Sequence, residues 1–572
     1  MIEFHPGFLL ILGGLIAPLV PNRLRQAVMV GAPLLAILAT LSLSVGTRWE
    51  YAFINELQLV VLRADQLSVL FSFVFSLLAL LANIYALHIN RSGETMTALL
   101  YAGSSIGVVM AGDWLTLIFF WEMMAIASVF LVWNRRTPRA LAAGFRYILI
   151  HILGGSLLLA GIFLQVSGGQ LEINILTGTG GWSYWLILLG VSINAAIPPL
   201  HAWLTDAYPE ATITGSVFLC AFTTKTAVYC LLRLFPGTQL LIWAGIIMAI
   251  YGVIFALLEN NIRRLLSYHI VSQVGFMVAG VGLGTALALN GAAAHAYSHI
   301  LYKGLLFMGA GAVIYATGYE KLTELGGLYR KMPLTAIFFG IGAFSISGVP
   351  LLNGFISKSL TMSAAAVSQM PVVELLLTLA SIGTFLSIAL KLYYFMFFGK
   401  DKGIRTKKIP ANMTVAMAGG AMLCVLYGLF PSLLYNRLPF AMDYAPYTFD
   451  HVISTLQLLL AAFMVFWVWR SKLLPHNAIS LDFDWFYRKP FAALVWGLVG
   501  VTCKIRDEFG VWGTVALRRV LPFFKNPVKW LPQTKEGPVS AVYDEDKYRL
   551  SIGVVVFMSV MIFVLTVFYA WL

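Results

Sequence analysis

Apolar runs long enough to cross a lipid bilayer follow one another along most of this chain. Each run is roughly 17 to 25 residues long, the length that a helix needs to span about 30 Å of hydrocarbon. Only 11% of the 572 residues are charged, whereas a soluble domain usually carries about 25%. So few charges cannot coat a surface that faces water. The length of the runs therefore predicts an all-α, multi-pass membrane protein of about sixteen helices.

The predicted spans form six regions. Spans 4–8 and 9–13 would be two repeats of five helices, with spans 1–3 before them and spans 14–15, a lateral segment and a final span after them. In the lateral segment, Leu494, Leu498, Val501, Ile505 and Phe509 follow helical spacing with charges between them, which is typical of an amphipathic helix on the membrane surface. The predicted boundaries are residues 1–95, 96–236, 237–400, 401–475, 476–549 and 550–572.

The net charge of +13 does not indicate nucleic-acid binding, because lysine and arginine fall mostly in alternate loops, as the positive-inside rule predicts. An odd number of crossings precedes each basic loop, so we expect the N-terminus outside and the lateral segment inside a bacterial or archaeal plasma membrane. Residues 1–21 lack a basic n-region and a cleavage site, and are expected to be a retained first helix. The basic loops contain Arg23 and Arg25, Arg135, Arg136 and Arg139, Arg263 and Arg264, and Lys400 to Lys408.

Motifs for metals and nucleotides are missing from the sequence. Cys220, Cys230, Cys424 and Cys503 stand singly in or beside apolar runs, without a CxxC pair, so no zinc or iron–sulfur framework is expected. No GxGxxG motif opens a βαβ unit. We therefore expect no cofactor, metal or catalytic site in this chain, and any redox chemistry would belong to another subunit.

Two predicted spans contain helix-breaking motifs. Span 7 carries NAAIPPLH at residues 194–201, and span 12 carries SGVPLLNG at residues 347–354. Proline inside a helix removes a hydrogen bond, and non-helical backbone at membrane depth is tolerated only where protein or a water-filled cavity buries it. Because the breaks are five spans apart, they predict inverted repeats around a polar site near the midplane. Two unrelated proline kinks are the alternative.

Ionisable residues lie inside several predicted spans. Each such lysine or glutamate costs at least about 2.5 kcal/mol to insert, so it marks a functional site by default. Lysine, histidine and glutamate can exchange protons when burial and neighbours shift their pKa values, so a row of them can pass protons laterally. The residues are Glu122 in span 5, His151 in span 6, Lys225 in span 8, His295, His299 and Lys303 on one face of span 11, Lys358 in span 12 and Lys391 in span 13.

Structural alternatives remain for some of these residues. Lys303 and Lys391 lie nearer helix ends, where a lysine can extend its ammonium to the membrane surface. His295 and His151 can equally be packing histidines with satisfied hydrogen bonds. Glu122 and Lys225, near the centres of their spans, are the harder ones to explain structurally.

Four stretches together resemble one family. They are PLHAWLTDAYPEATITGSVFLCAFTTKTAVYCLLRLFPG, IRRLLSYHIVSQVGFM, HAYSHILYKGLLFMGAGAVIYATG and GVPLLNGFISKSL. They are similar to the proton-conducting, antiporter-like membrane subunits of complex I, of Mrp sodium/proton antiporters and of membrane-bound hydrogenases. The resemblance covers roughly residues 60–430, and the lateral segment with its final span resembles the terminal subunit of such assemblies.

The resemblance implies roles for individual residues. Glu122 matches the glutamate that receives or modulates charge, Lys225 and His299 match the central relay, and Lys358 matches the residue that exchanges protons with the outside. The chain departs from the family at Asn194, where most members have a lysine that pairs with the glutamate. Either Lys225 takes over as the partner of Glu122, or this half-channel behaves differently.

The function implied by the resemblance is proton translocation, with sodium/proton antiport as a variant, inside a multisubunit complex. The expected partners are other membrane subunits of an Mrp-like, complex I-like or hydrogenase complex. A first alternative is a membrane-arm subunit of a redox enzyme, either NADH-quinone oxidoreductase-like or a hydrogenase. A second alternative is a membrane partner in inorganic-carbon uptake.

Overall fold

The computed structural model describes residues 4–53, 58–176, 181–477, 481–525 and 551–569. The chain divides into two units, Met1–Phe483 and Asp484–Leu572. Nearly all regular structure is helical, and eleven of the described helices are long and apolar enough to cross a membrane. The predicted all-α membrane architecture is therefore confirmed.

The first region contains a β-hairpin that the sequence analysis did not predict. Strand β1 (Arg48–Ala52) pairs antiparallel with β2 (Gln58–Arg63). In β2, the buried residues Val60 and Leu62 alternate with more exposed ones, the pattern of a half-buried strand. The helices around the hairpin are α1 (Pro6–Ile16), with a 3₁₀ turn at Ala17–Leu19, α2 (Asn22–Ser42) and α3 (Gln66–Ala86).

The next five crossings include two interrupted ones. The first interruption separates α7 from α8 at the predicted PPLH break, where Ala196 has a φ of 60°. The second interruption, between α9 and α10, was not predicted because the sequence there has neither proline nor glycine. The helices are α4 (Ser92–Met110), α5 (Trp114–Trp133), α6 (Pro138–Ser167), α7 (Trp182–Asn194), α8 (Ala202–Glu210), α9 (Ile213–Leu219) and α10 (Thr223–Leu234).

The following five crossings contain the second predicted break, at which α14 ends and α15 begins. Gly348 and Leu351 in this break have φ values of 77° and 72°. The last crossing continues as π-helix through Phe385–Leu392 and Tyr394–Phe398. The helices are α11 (Gln239–Leu258), α12 (Ile262–Leu283), α13 (Ala286–Thr317), α14 (Pro333–Ile346), α15 (Asn353–Val367) and α16 (Pro371–Thr384).

The two sets of five crossings run in opposite directions. Arg135 pairs with Glu320 and marks what we call the basic side of the bundle. Helix α4 begins on this side, where Arg91 donates to the carbonyl of Asn134. Helix α11 begins on the opposite side, beyond Gly237, whose N–H bonds to the far end of α12. The two sets therefore have the opposite orientations that inverted repeats require.

Helices α12 and α13 form the centre of the bundle. All residues of the most apolar stretch of α12 are buried, and 89% of those in α13. The outer helices instead expose apolar side chains, as on α6 and α19, which suits contact with lipid. The helices that complete this unit are α17 (Ala411–Leu429), α18 (Ser432–Tyr435) and α19 (Phe449–Trp469).

The second unit contains the long helix expected in the lateral segment. After α20 (Asp484–Phe486) and a π-helical turn at Tyr487–Phe491, α21 spans Ala492–Lys525, and α22 spans Ile552–Tyr569. The placement of α21 along the membrane surface stays a prediction, and residues 478–480 and 526–549 of the predicted lateral segment lie outside the described residues.

Candidate functional site

Glu122 lies on α5 and faces α6. Its carboxylate lies so close to Gly155 that a β-carbon on this glycine would meet Oε1 at 1.9 Å. The side chain is half-buried and forms no ion pair within the described ranges. Because a partly buried carboxylate without a counter-charge is costly, this position suits a group that gains and loses a proton better than a fixed ion pair.

His151 lies one turn before Gly155 on α6 and contacts Asn194, the position at which the family resemblance implies a lysine. Its Nδ1 is 2.9 Å from Oδ1 of Asn194 at the end of α7, and both side chains are buried. In this orientation of the amide, Nδ1 donates and Nε2 is the basic nitrogen. No described protein group bonds to Nε2. A neutral hydrogen bond therefore occupies the position at which the family resemblance implies a lysine.

Lys225 fills the unpredicted break between α9 and α10. Its ammonium donates to the carbonyl of Cys220 at 2.5 Å and to Oγ1 of Thr224 at 3.1 Å, and the side chain is fully buried. Carbonyls at a helix end lack intrahelical partners, so the broken backbone itself supplies acceptors for the lysine. Lys225 is therefore bound to the broken span and has no ion pair with Glu122 among the described residues.

The predicted face of α13 is buried at the centre of the bundle. The rings of His295 and His299 are 6.3 Å apart, and Nδ1 of His295 lies 3.1 Å from Oγ of Ser357. Neither nitrogen of His299, nor the ammonium of Lys303, has a hydrogen-bond partner in the described part of the protein. Buried polar atoms of this kind are usually satisfied by ordered water. Lys303 is 0% exposed, so it does not reach the membrane surface.

His269 on α12 is a buried ionisable residue that the sequence analysis missed. Its Nε2 lies 2.8 Å from Oγ of Ser387, in the π-helical part of the thirteenth crossing. Ser387 lies one turn before Lys391 on that crossing, so His269 connects α12 with the helix that carries Lys391. The available signal was a single histidine in an apolar run, whereas His295 was identified with His299 and Lys303 by their shared helix face.

Lys358 follows the second break and borders a small cavity. Its ammonium is 3.2 Å from Oγ of Ser381 and 5.1 Å from the ring centre of Phe276. The cavity measures about 40 Å³, enough for water, and His451 near the start of α19 also lines it. His451 was not considered in the sequence analysis, because it stands at the edge of an apolar run.

Lys391 is buried at the end of α11. Its ammonium donates to the carbonyls of Leu257 at 2.5 Å and Glu259 at 2.8 Å. These are free carbonyls at a helix C-terminus, where a cation is favoured. Lys391 is only 5% exposed, so its ammonium is held within the protein and does not extend to the surface.

The ionisable residues do not gather as a ligand set. Within the described ranges, no three side chains of His, Cys, Asp or Glu come together as metal ligands, and Cys220, Cys230, Cys424 and Cys503 are free thiols. The arrangement is instead a series of single buried groups, which suits proton transfer through water and side chains.

The sequence matches a known family over the two repeats. The family model described as NADH:quinone oxidoreductase/Mrp antiporter, TM matches residues 111–387. An uncharacterized protein of Methanocaldococcus jannaschii is 31% identical over 379 residues, which cover 62% of this chain and 78% of that protein. Hydrogenase-4 component B of Escherichia coli is 30% identical over 428 residues, which cover 66% of this chain and 64% of that protein.

The fold also matches a solved structure along nearly the whole chain. The match is to a chain of the membrane-bound sulfane sulfur reductase, an archaeal respiratory membrane complex, with a TM-score of 0.69 and 21% identity. It covers 98% of this chain and 99% of that chain. At this identity the match shows a shared fold.

Proposed function

Because this chain belongs to the NADH:quinone oxidoreductase/Mrp antiporter transmembrane family, we propose that it is a proton-translocating subunit of a multisubunit membrane complex. The observation that carries the proposal is the series of buried ionisable side chains through the middle of the bundle. The rings of His295 and His299 are 6.3 Å apart, and neither His299 nor Lys303 has a hydrogen-bond partner among the described groups, so neighbouring ionisable groups face one another without fixed protein partners.

In the first half, Glu122 is proposed to receive or modulate charge and Lys225 to carry the proton. Asn194 cannot titrate, so His151 is the titratable group beside it. The free Nε2 of His151 has the chemistry of a proton acceptor. Lys225 keeps its contact with Cys220 while it titrates, because a neutral amine also donates hydrogen bonds.

In the centre, His295, His299 and Lys303 are proposed to pass the proton along α13. The nitrogens without protein partners support this role, since water bonded to them would link neighbouring groups. His269 is proposed to extend the series towards Lys391, because it contacts Ser387 one turn before that lysine on the thirteenth crossing.

In the second half, Lys358 is proposed to exchange protons with the outside through the cavity that His451 lines. Lys391 is proposed as the alternative terminal group on the basic side. This assignment has the basic side facing the cytoplasm of a bacterial or archaeal cell, with the N-terminus outside, as the positive-inside rule favours. The proposed partners are further membrane subunits, and the proposed ions are protons, with sodium as counter-ion in an antiporting complex.

A second candidate function is that of a membrane-arm subunit in a redox-driven complex. The specific observation in its favour is the structural match that covers 98% of this chain, which includes the two C-terminal helices. The hydrogenase component among its relatives points the same way. The proton-transferring residues would be the same, and only the driving reaction would differ.

Purification with partner subunits separates the two candidates. The full-length chain would be tagged in its native host, and the complex reconstituted into liposomes with a pH-sensitive dye. Proton movement driven by a sodium gradient, with no redox subunit present, supports antiport. Proton movement that needs an electron donor, with iron–sulfur or hydrogenase subunits in the complex, supports the second candidate. A complex that moves no protons under either condition would contradict both.

A further inference from the structure

Asp482 carries a buried carboxylate that no motif in the sequence predicted. It follows α19 and precedes the second unit, yet its side chain is only 6% exposed. Three groups from three different helices contact it. Tyr268 on α12 donates to Oδ2 at 2.6 Å, and Tyr251 on α11 donates to Oδ1. Nε2 of His201, at the start of α8, lies 3.2 Å from Oδ1.

His201 is the last residue of the PPLH break in the seventh crossing. It is 0% exposed, and its ring lies 4.8 Å from that of Tyr251. Neither Nδ1 nor Nε2 forms a hydrogen bond of good geometry with a described group, so Nε2 meets Asp482 as a close charge contact and Nδ1 has no hydrogen-bond partner in the described part of the chain. Asp482 is the one carboxylate that contacts His201 among those residues.

A carboxylate beside one imidazole nitrogen orients the ring and decides which nitrogen carries the proton. Asp482 lies 3.2 Å from Nε2, and Nδ1 on the other side of the ring is left without a protein partner among the described residues. Glu259 follows α11, the helix that carries Tyr251, and its carbonyl accepts from the ammonium of Lys391. The two tyrosines hold the Asp482 carboxylate in place beside the His201 ring.

We infer that Asp482 is a positioning residue for proton transfer at His201, and that it fastens the break in the seventh crossing to the segment leading into α21. The inference rests on the proposed function, because it makes His201 a proton carrier of the first half-channel. The chain continues directly from Asp482 to Asp484, where the second unit begins.

The test compares Asp482→Asn, Asp482→Glu, His201→Gln and the double variant Asp482→Asn/His201→Gln. The matched control is Asp484→Asn, which removes a carboxylate from the same segment that pairs with Arg488. Proton transport and its pH profile would be measured in inverted membrane vesicles that contain the full complex, with protein abundance checked by immunoblot.

We expect Asp482→Asn to lower transport about 10-fold, as loss of a group that orients a histidine does, and to displace the pH profile. Asp482→Glu should restore most of the transport, and the double variant should be no worse than His201→Gln alone. Asp484→Asn should transport at the wild-type rate. A purely structural contact would lower the amount of protein and leave the pH profile of the remaining complex unchanged.

Wild-type transport and an unchanged pH profile in Asp482→Asn would overturn the inference, as would additive losses in the double variant. If Asp482→Asn protein is absent from the membrane, its recovery in the double variant supports the coupling, and its continued absence contradicts it. Loss of transport in Lys225→Ala alongside normal transport in Asp482→Asn would remove the role of Asp482 and leave the proposed function standing.

Discussion

The ammonium of Lys225 donates a hydrogen bond of 2.5 Å to the carbonyl oxygen of Cys220, the C-cap residue of α9. A helix end buried at membrane depth needs a partner for its free carbonyls. Lys225 supplies that partner, so one residue both stabilises the break and carries the titratable group. An arginine at position 225 can donate the hydrogen bond that stabilises the break but cannot release its proton. The Lys225→Arg variant therefore separates the structural role from the proton-carrying role.

Gly155→Ala tests whether Glu122 must occupy its present position. The new β-carbon would lie 1.9 Å from Oε1, so the carboxylate must move away from α6. A displacement of about 1 Å at a reacting group can cost about 100-fold in rate, and we expect a loss of about 10- to 100-fold in proton transport.

The adjacent Gly154→Ala is the matched control. Its β-carbon meets Ile193 at 3.2 Å and Oδ1 of Asn194 at 3.5 Å, without touching Glu122. We expect at most a small loss of transport in this variant. Equal transport in both alanine variants, at equal abundance, would show that the position of Glu122 does not matter.

Asn194→Lys introduces the residue type that the family resemblance implies at this position. If the new ammonium pairs with the Glu122 carboxylate, as the resemblance implies, the two opposite charges offset part of the cost of burying each. We therefore expect normal abundance in the membrane and transport within a few-fold of wild type.

Asn194→Leu is the comparison for that variant. It removes the acceptor for Nδ1 of His151 and should destabilise the protein by about 1 to 3 kcal/mol, the cost of an unsatisfied buried group. Thermal unfolding in detergent measures the stability of both Asn194 variants. Loss of the lysine variant from the membrane, with the leucine variant present, would indicate a site built around a neutral residue.

Asp113→Ala tests how the unpredicted hairpin is held to the bundle. The buried carboxylate of Asp113 accepts from the N–H of Val60 in β2 and from the N–H and hydroxyl of Thr116 at the start of α5. Its loss removes an N-cap, worth about 1 kcal/mol, and leaves the buried N–H of Val60 unpaired. We expect a lower melting temperature in detergent with proton transport retained. An unchanged melting temperature would show that the contact contributes nothing.

Much of the fold was predictable because length and periodicity are properties of the sequence. The runs of apolar residues located the crossings, and the prolines at 198, 199 and 350 located two of the breaks. The break before Lys225 was not predictable, because FLCAFTTK has no residue that disfavours a helix strongly. It is a tertiary feature, stabilised by the hydrogen bond of the lysine to Cys220.

The candidate site was predictable where a charge stands alone in an apolar run, as Glu122, Lys225 and Lys358 do. Residues near the ends of such runs gave a weaker signal, so His451 was overlooked. Asp482 was not predictable at all, since its partners are contributed by α8, α11 and α12, more than 200 residues away in sequence. Contacts of that range depend on how the helices pack, which local patterns do not encode.

The central claim is that Lys225 carries a proton, and comparison of Lys225→Arg with Lys225→Ala tests it most directly. A guanidinium keeps its proton at any accessible pH, although it can still donate to Cys220. Proton transport would be measured in vesicles at matched abundance, with Lys331→Arg on the basic side as the control. We predict that both Lys225 variants lose transport while Lys331→Arg retains it. Near-normal transport in Lys225→Arg, with loss only in Lys225→Ala, would contradict the account and assign Lys225 a structural role.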